Sequence, residues 1–146
     1  MQKRILVKEA NPAAYQAMLA LDSYVAQTNL DQTIKDLIKI RSSQLNRCSF
    51  CIDKHTKEAR QHGETERRLF NLATWHETPF FTDAERAVLA FTEAVTLIAS
   101  QAVPDEVYAQ VALHLSDSQI ADLILAISCI NAWNRIGVCT LRTPAL

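Results

Sequence analysis

The chain has 146 residues, of which 49% are apolar and 21% charged, and a net charge of −1. That balance predicts a single globular domain over residues 1–146, with a core that needs no covalent staples. The near-zero charge offers nothing to neutralise phosphates, so no nucleic-acid partner is expected. Only two glycines, Gly63 and Gly137, are present, too few for β-hairpins or the glycine-rich loops of nucleotide folds.

The first residues, Met1 to Lys8, hold a three-residue apolar run before Lys8 and Glu9, so no secretory leader is expected. The longest apolar stretch, Ile120 to Ile130, is interrupted by Asp122 and Ser128. It falls short of the roughly 18 unbroken apolar residues of a membrane span. The expectation is a cytoplasmic protein without a membrane partner, in a compartment that keeps thiols reduced.

Helices account for nearly the whole chain. Asn11-Pro12 reads as an N-cap followed by proline at the first helical position, opening a helix to about Gln27. Asp31 caps the next, with Ile34, Leu37, Ile38 and Leu45 at helical spacing. A third helix runs from about Cys48 to His62, with Gly63 as its stop. A short one follows from Glu64 to about Thr74 and is broken by Pro79-Phe80-Phe81. Thr82 and Glu85 form a capping box, Pro104 starts another helix, and Ser116 and Gln119 form a second capping box. The last helix is expected to reach about Arg135, with a tail after Val138. Its apolar residues cover more than one stripe, as in a central helix or one shared between subunits.

The chemistry concentrates in Cys48-Ser-Phe-Cys51-Ile-Asp-Lys-His55. On a helix these three side chains share one face. His55 lies one turn from Cys51 but two turns from Cys48, about 10 Å away and out of direct reach. A thiol with a base beside it and a second thiol behind it suits dithiol–disulfide chemistry. Cys48 falls at the helix start, where unpaired N–H groups favour a thiolate, so the helix dipole and His55 point to different nucleophiles. Zinc binding stays open as an alternative, although Cys129 and Cys139 form no second closely spaced pair. Inert core thiols are the other alternative.

Ser43 and Asn46 read as caps of the helix junction. Glu85 and Arg86 read as ion-pair partners, and His62, His76 and His114 as surface or partly buried side chains. Cys129 reads as a small buried apolar residue.

The segment from Asp36 through Cys48, Cys51 and His55 to Arg60 resembles the core of the AhpD-like alkylhydroperoxidase branch of the carboxymuconolactone decarboxylase family. Trp75, the Pro79-to-Arg86 stretch and Asn131-Ala-Trp-Asn-Arg135 are similar to other segments of that branch. The resemblance implies an all-α, AhpD-like bundle of about six to seven helices, assembled as a homotrimer or homohexamer. It implies a thiol peroxidase or disulfide reductase that uses a hydroperoxide or small disulfide and an external dithiol, with no cofactor and no metal. It assigns Cys51 as the attacking thiol and Cys48 as the resolving one, with His55 as the base and Asp36 as the carboxylate that orients it. Two positions depart from the branch: Asp36 stands where glutamate is usual, and Phe50 stands where the best-studied type of site has a histidine. A non-redox helical module and a carboxymuconolactone decarboxylase-like lyase are the competing functional readings.

Overall fold

The computed structural model describes residues 4–145, which form eight α-helices and one 3-10 helix, with no strand among the described residues. The α-helices are α1 (Val7–Ala10), α2 (Pro12–Gln27), α3 (Gln32–Leu45), α4 (Ser49–Gln61), α5 (Glu66–Asn71), α6 (Asp83–Thr96), α7 (Asp105–Ala112) and α8 (Asp117–Cys139). The 3-10 helix spans Leu72–Glu77. None of the described helices is long and apolar enough to cross a membrane. Met1 to Gln2 and Lys3 of the leaderless N-terminal reading lie outside the described residues.

The caps sit where the sequence places them. Asn11 accepts from the Ala14 amide at 3.1 Å, and Asp31 accepts from the Thr33 amide at 2.8 Å. Both capping boxes are closed in both directions, at Thr82–Glu85 and at Ser116–Gln119. Three features differ from expectation. The short α1 has no counterpart in the expected elements. The segment expected as one helix to Thr74 splits, because Thr74 leaves helical geometry and the chain continues as a 3-10 turn. The final helix extends to Cys139, since no proline or capping residue stops it at Arg135.

Two apolar clusters flank α3. Ile34 and Ile38 pack into one cluster with residues of α2, α6, α7 and α8. Leu37 and Ile40 face the other, with Ala59, Leu72, Trp75, Phe81 and Leu89. The long α8 buries Ile120, Leu123, Ile127 and Ile130 but leaves Ile124, Leu125 and Val138 partly open to solvent. It is therefore a central helix with an outward apolar edge.

Helix ends around the cysteine segment are fixed by backbone geometry. α3 stops in a Schellman turn: the Cys48 amide reaches the Ser43 carbonyl, and the Arg47 amide the Gln44 carbonyl. Arg47 takes φ 55°, a left-handed conformation that costs a side-chain-bearing residue something. The same turn ends α4 at Gly63 (φ 99°), where glycine adopts it freely, and ends α8 at Leu141 (φ 52°).

The end of α3 is bolted to α8 by a buried polar network. Asn46 Nδ2 donates to Asn131 Oδ1 at 2.9 Å and to Asn134 Oδ1 at 3.0 Å. Asn134 Nδ2 donates to Ser43 Oγ at 2.9 Å, and Asn131 Nδ2 to Thr96 Oγ1 of α6 at 3.1 Å. Asn46 is the C-cap of α3, as expected, through its backbone, and its side chain adds the tertiary contacts. Ser43 Oγ donates to the Lys39 carbonyl within α3 while accepting from Asn134. Every buried side-chain nitrogen and oxygen among the described residues has a partner.

Replacing Asn134, which is fully buried, with alanine removes one of the two Asn46 bonds and the donor to Ser43. The expected loss is roughly 2–3 kcal/mol of stability in urea denaturation. A loss near zero would show that water repairs the network.

Candidate active site

Cys48 is the N-cap of α4 rather than a residue of its first turn, with an extended backbone and no side-chain cap bond. The Schellman turn at Arg47 delivers it there. Its sulfur is bonded to that of Cys51, with the two Cα atoms 5.3 Å apart, well within the usual disulfide range. Both cysteines are almost wholly buried, at 2% and 4% exposure, so a reactant reaches them only through defined openings.

α8 closes over the pair at Gly137. A Cβ built there would lie 2.9 Å from the Cys48 sulfur and 3.6 Å from the Cys51 sulfur. The first distance is closer than real Cβ contacts come, so glycine is required by close approach. The expected helix end at Arg135 hid the signal, since a lone glycine marks packing only once the helix is carried through it to Cys139.

Cys51 and His55 line a cleft of about 130 Å³ with Tyr15, Leu19, Phe50 and Trp133. Tyr15 and Trp133 meet edge to face at 5.5 Å. Phe50 lies under the Arg142 guanidinium, 3.9 Å from the ring centroid. The ring that replaces a histidine thus forms an apolar wall and a seat for a cation.

The expected carboxylate–imidazole pair is not formed. Asp36 Oδ2 is 2.7 Å from His62 Nδ1, and Gln32 Nε2 donates to Asp36 Oδ1 at 2.9 Å. The buried Asp36 therefore joins α3 to the far end of α4, two turns beyond His55, and its short side chain serves the nearer ring. His55 Nδ1 instead lies 2.8 Å from Glu58 Oε2, one turn along the same helix. This i, i+3 pair was readable in the sequence.

The His55 hydrogen bond, helped by the nearby Lys54 charge, holds the Glu58 carboxyl at about 2 against the opposing effect of burial. Glu58 is therefore ionised throughout the neutral and mildly acidic range. Its depressed value means its stabilising contribution is present above the ordinary carboxylate value and fades only as pH falls toward about 2. An ionised acceptor at Nδ1 keeps the proton on that nitrogen and leaves Nε2 as the basic one.

The other singled-out residues have structural places. Glu85 pairs with Arg68, the Oε1–Nη2 distance being 2.6 Å. Among the described residues Arg86 makes no ion pair; its guanidinium binds the carbonyls of Trp75, His76 and Thr78 at the end of the 3-10 helix. Cys129 is buried, and burial with the Asp22 carboxylate pushes its thiol up to about 11, a protonated and unreactive state. Cys139 is a free, exposed thiol. Among the described residues no three His, Cys, Asp or Glu side chains converge as a metal site.

Gly137→Ala sets two effects against each other. Helix propensity favours alanine by about 1 kcal/mol, while overpacking against sulfur costs about 1–3 kcal/mol. The clash is expected to win, lowering the denaturation midpoint of the oxidised protein; a raised midpoint would show that the sulfurs have room to move. Glu58→Gln removes the charge behind His55. Alkylation of the reduced Cys51 thiol at pH 7 is expected to slow by roughly tenfold, the rate equivalent of about 1.4 kcal/mol. Asp36→Asn is expected to leave that rate near wild type, and the reverse ranking would restore Asp36 as the orienting carboxylate.

Residues 12–94 match the model of the carboxymuconolactone decarboxylase family. The uncharacterised protein YdfG of Bacillus subtilis (strain 168) is 44% identical over 138 residues, covering 94% of each chain. A crystal structure from Agrobacterium tumefaciens superimposes with a TM-score of 0.96 at 38% identity, over 99% of this chain and 100% of that one. That protein is of unknown function and has been suggested to be an antioxidant defence protein AhpD. An uncharacterised peroxidase-related protein of Ralstonia eutropha JMP134, with an alkylhydroperoxidase AhpD core, shares the fold at 18% identity, with a TM-score of 0.79 over 92% of this chain and 72% of its own. Cys48, Cys51 and His55 fall inside the matched stretch, whereas the α8 residues that close over them lie beyond it. The chain belongs to the carboxymuconolactone decarboxylase family, in its AhpD-like branch.

Proposed function

We propose that this protein is a dithiol-dependent oxidoreductase that reduces small hydroperoxides. The observation that carries the reading is the Cys48–Cys51 pair at bonding distance, with Cys51 lining the same cleft as His55. Family membership supports the redox class, and the size of the cleft favours a small substrate over a bulky one.

In the proposed cycle, Glu58 holds the His55 ring, whose Nε2 takes the Cys51 proton. The Cys51 thiolate attacks the terminal oxygen of the hydroperoxide, and the O–O bond breaks. The alcohol leaves with the proton from His55, and Cys51 becomes a sulfenic acid. Cys48 then attacks the Cys51 sulfur, water leaves, and the disulfide closes under Gly137. An external dithiol supplies the two electrons that reopen it. The apolar walls of Phe50, Leu19 and Trp133 limit water around the sulfenic acid. In this scheme Asp36 braces the far end of α4 and takes no part at the sulfur.

The reading places the protein among cytoplasmic thiol reductants, assembled through the outward apolar residues Ile124 and Leu125 as a homotrimer or homohexamer. A metal-binding module finds no ligand set among the described residues. Nothing at the cleft specifically favours a lactone decarboxylase.

One equivalent of an alkyl hydroperoxide is expected to consume two thiols of the reduced protein and yield a Cys48–Cys51 crosslink by mass spectrometry. Cys51→Ser is expected to abolish peroxide consumption, whereas Cys48→Ser permits one turnover that stops at the sulfenic acid. Unchanged turnover in the Cys51 variant would sink the assignment.

A further inference from the structure

The disulfide is approached by two different openings. Cys51, but not Cys48, lines the cleft it shares with His55. Cys48, but not Cys51, lines a second cleft of about 250 Å³ formed with Arg47, Ser49, Val138, Leu141 and Arg142. The two clefts have only Gly137 and Arg142 in common. The second is framed by both left-handed, side-chain-bearing residues of the described chain, Arg47 and Leu141, which the Schellman turns of α3 and α8 hold at its rim.

Thiol–disulfide exchange depends on which sulfur is accessible and on how well the other leaves as a thiolate. The attacking thiolate approaches in line with the S–S bond, from the side opposite the leaving sulfur. The Cys48 cleft, which lacks Cys51, leads to Cys48 without passing Cys51. Attack at Cys48 expels Cys51, whose charge forms one turn from His55. Attack at Cys51 would expel Cys48, which has no imidazole at that spacing. The α4 N-terminal dipole acts on both sulfurs within its first turn and discriminates less. Two arginines, Arg47 and Arg142, line the Cys48 cleft and no acidic residue does, while the Cys51 cleft combines Lys54 and Arg142 with Asp22.

We propose that the reductant enters by the Cys48 cleft, separately from the peroxide, and that this entrance favours thiols carrying a negative charge. This deepens the dithiol reading above and rests on it. The thiolate R–S⁻ bonds to the Cys48 sulfur, the Cys48–Cys51 bond breaks, and its electron pair leaves on Cys51. The second thiolate of the reductant then attacks its own sulfur in the mixed disulfide and releases Cys48 as a thiolate. The dithiol loses two electrons, the protein disulfide gains them, and the two protein thiolates take up protons from His55 and solvent. The cleft that admits the hydroperoxide stays clear throughout, so neither reactant need displace the other.

The test uses full-length protein whose disulfide is formed with diamide, so it does not depend on peroxidase activity. Reduction by 2-mercaptoethanesulfonate, 2-mercaptoethanol and cysteamine is followed at matched thiolate concentration, and acid-quenched adducts are mapped by mass spectrometry. The adduct is expected on Cys48, with the anionic thiol at least fivefold faster than the cationic one. Arg47→Asn, which tolerates the left-handed backbone, is expected to shrink that ratio by more than half. Val138→Trp, a change at an exposed position, is expected to slow reduction about tenfold while leaving the rate of oxidation by hydroperoxide unchanged. Leu19→Trp is expected to do the reverse. An adduct on Cys51, or reduction slowed by Leu19→Trp and not by Val138→Trp, would overturn the two-entrance assignment. Failure of hydroperoxide to re-form the disulfide, with Cys48 still the site of the adduct, would overturn the peroxidase reading alone.

Discussion

Amide side chains from α3 and α8 meet where solvent is excluded, and the position of the disulfide follows from that meeting. Asn46 holds both Asn131 and Asn134, and Asn134 returns a bond to Ser43. Each of these groups would be costly to bury alone, so the network tolerates essentially one registration of α3 against α8. That registration puts Gly137 over the two sulfurs, because it lies three residues beyond Asn134, about one turn further along the same face. It also fixes the Schellman turn from which Cys48 emerges. A wider residue at 137, or a looser bolt, would separate the lid from the chemistry it covers.

The electrostatics around the thiols are local to α4. Glu58, His55 and Cys51 stand on successive turns of one helix, so their spacing survives small movements between helices. Had the carboxylate come from α3, the base would have depended on a tertiary contact. Asp36 instead bonds to His62 near the helix C-terminus, where a buried carboxylate acts as an anchor. The carboxylates are thus divided between two tasks: Asp36 ties α3 to the end of α4, and the partner of His55 comes from α4 itself. The aromatic ring at 50 seats Arg142, which links the end of α8 to the mouth of the site.

Burial determines which thiol is available for chemistry. Cys129 is surrounded by core and faces a carboxylate, which keeps it protonated. Cys48 and Cys51 are no more exposed, but each borders its own cleft. Low exposure with a narrow opening suits a sulfur that must react with small molecules and avoid large ones.

Local codes in the chain were sufficient for the helices: caps at Asn11, Asp31, Thr82 and Ser116, the stop at Gly63, and apolar spacing through α3, α6 and α8. These depend on interactions within four residues, which spacing records directly. The same range covers the Cys51–His55 step and the Glu58 partner, although the latter went unread in favour of Asp36. The disposition of Asp36 needed the fold, because the choice between two histidines on one helix is set by how α3 crosses α4. Gly137 lies past the helix end expected at Arg135, so its approach to the sulfurs was not legible, and Arg142 gave no sign at all, since its return to Phe50 spans the whole α4-to-α8 packing. Sequence alone therefore determined the helices and the reactive triplet, through short-range hydrogen bonding and periodicity. Tertiary structure decided which histidine Asp36 meets, what covers the sulfurs and which cleft each cysteine borders, because those depend on contacts between residues tens of positions apart.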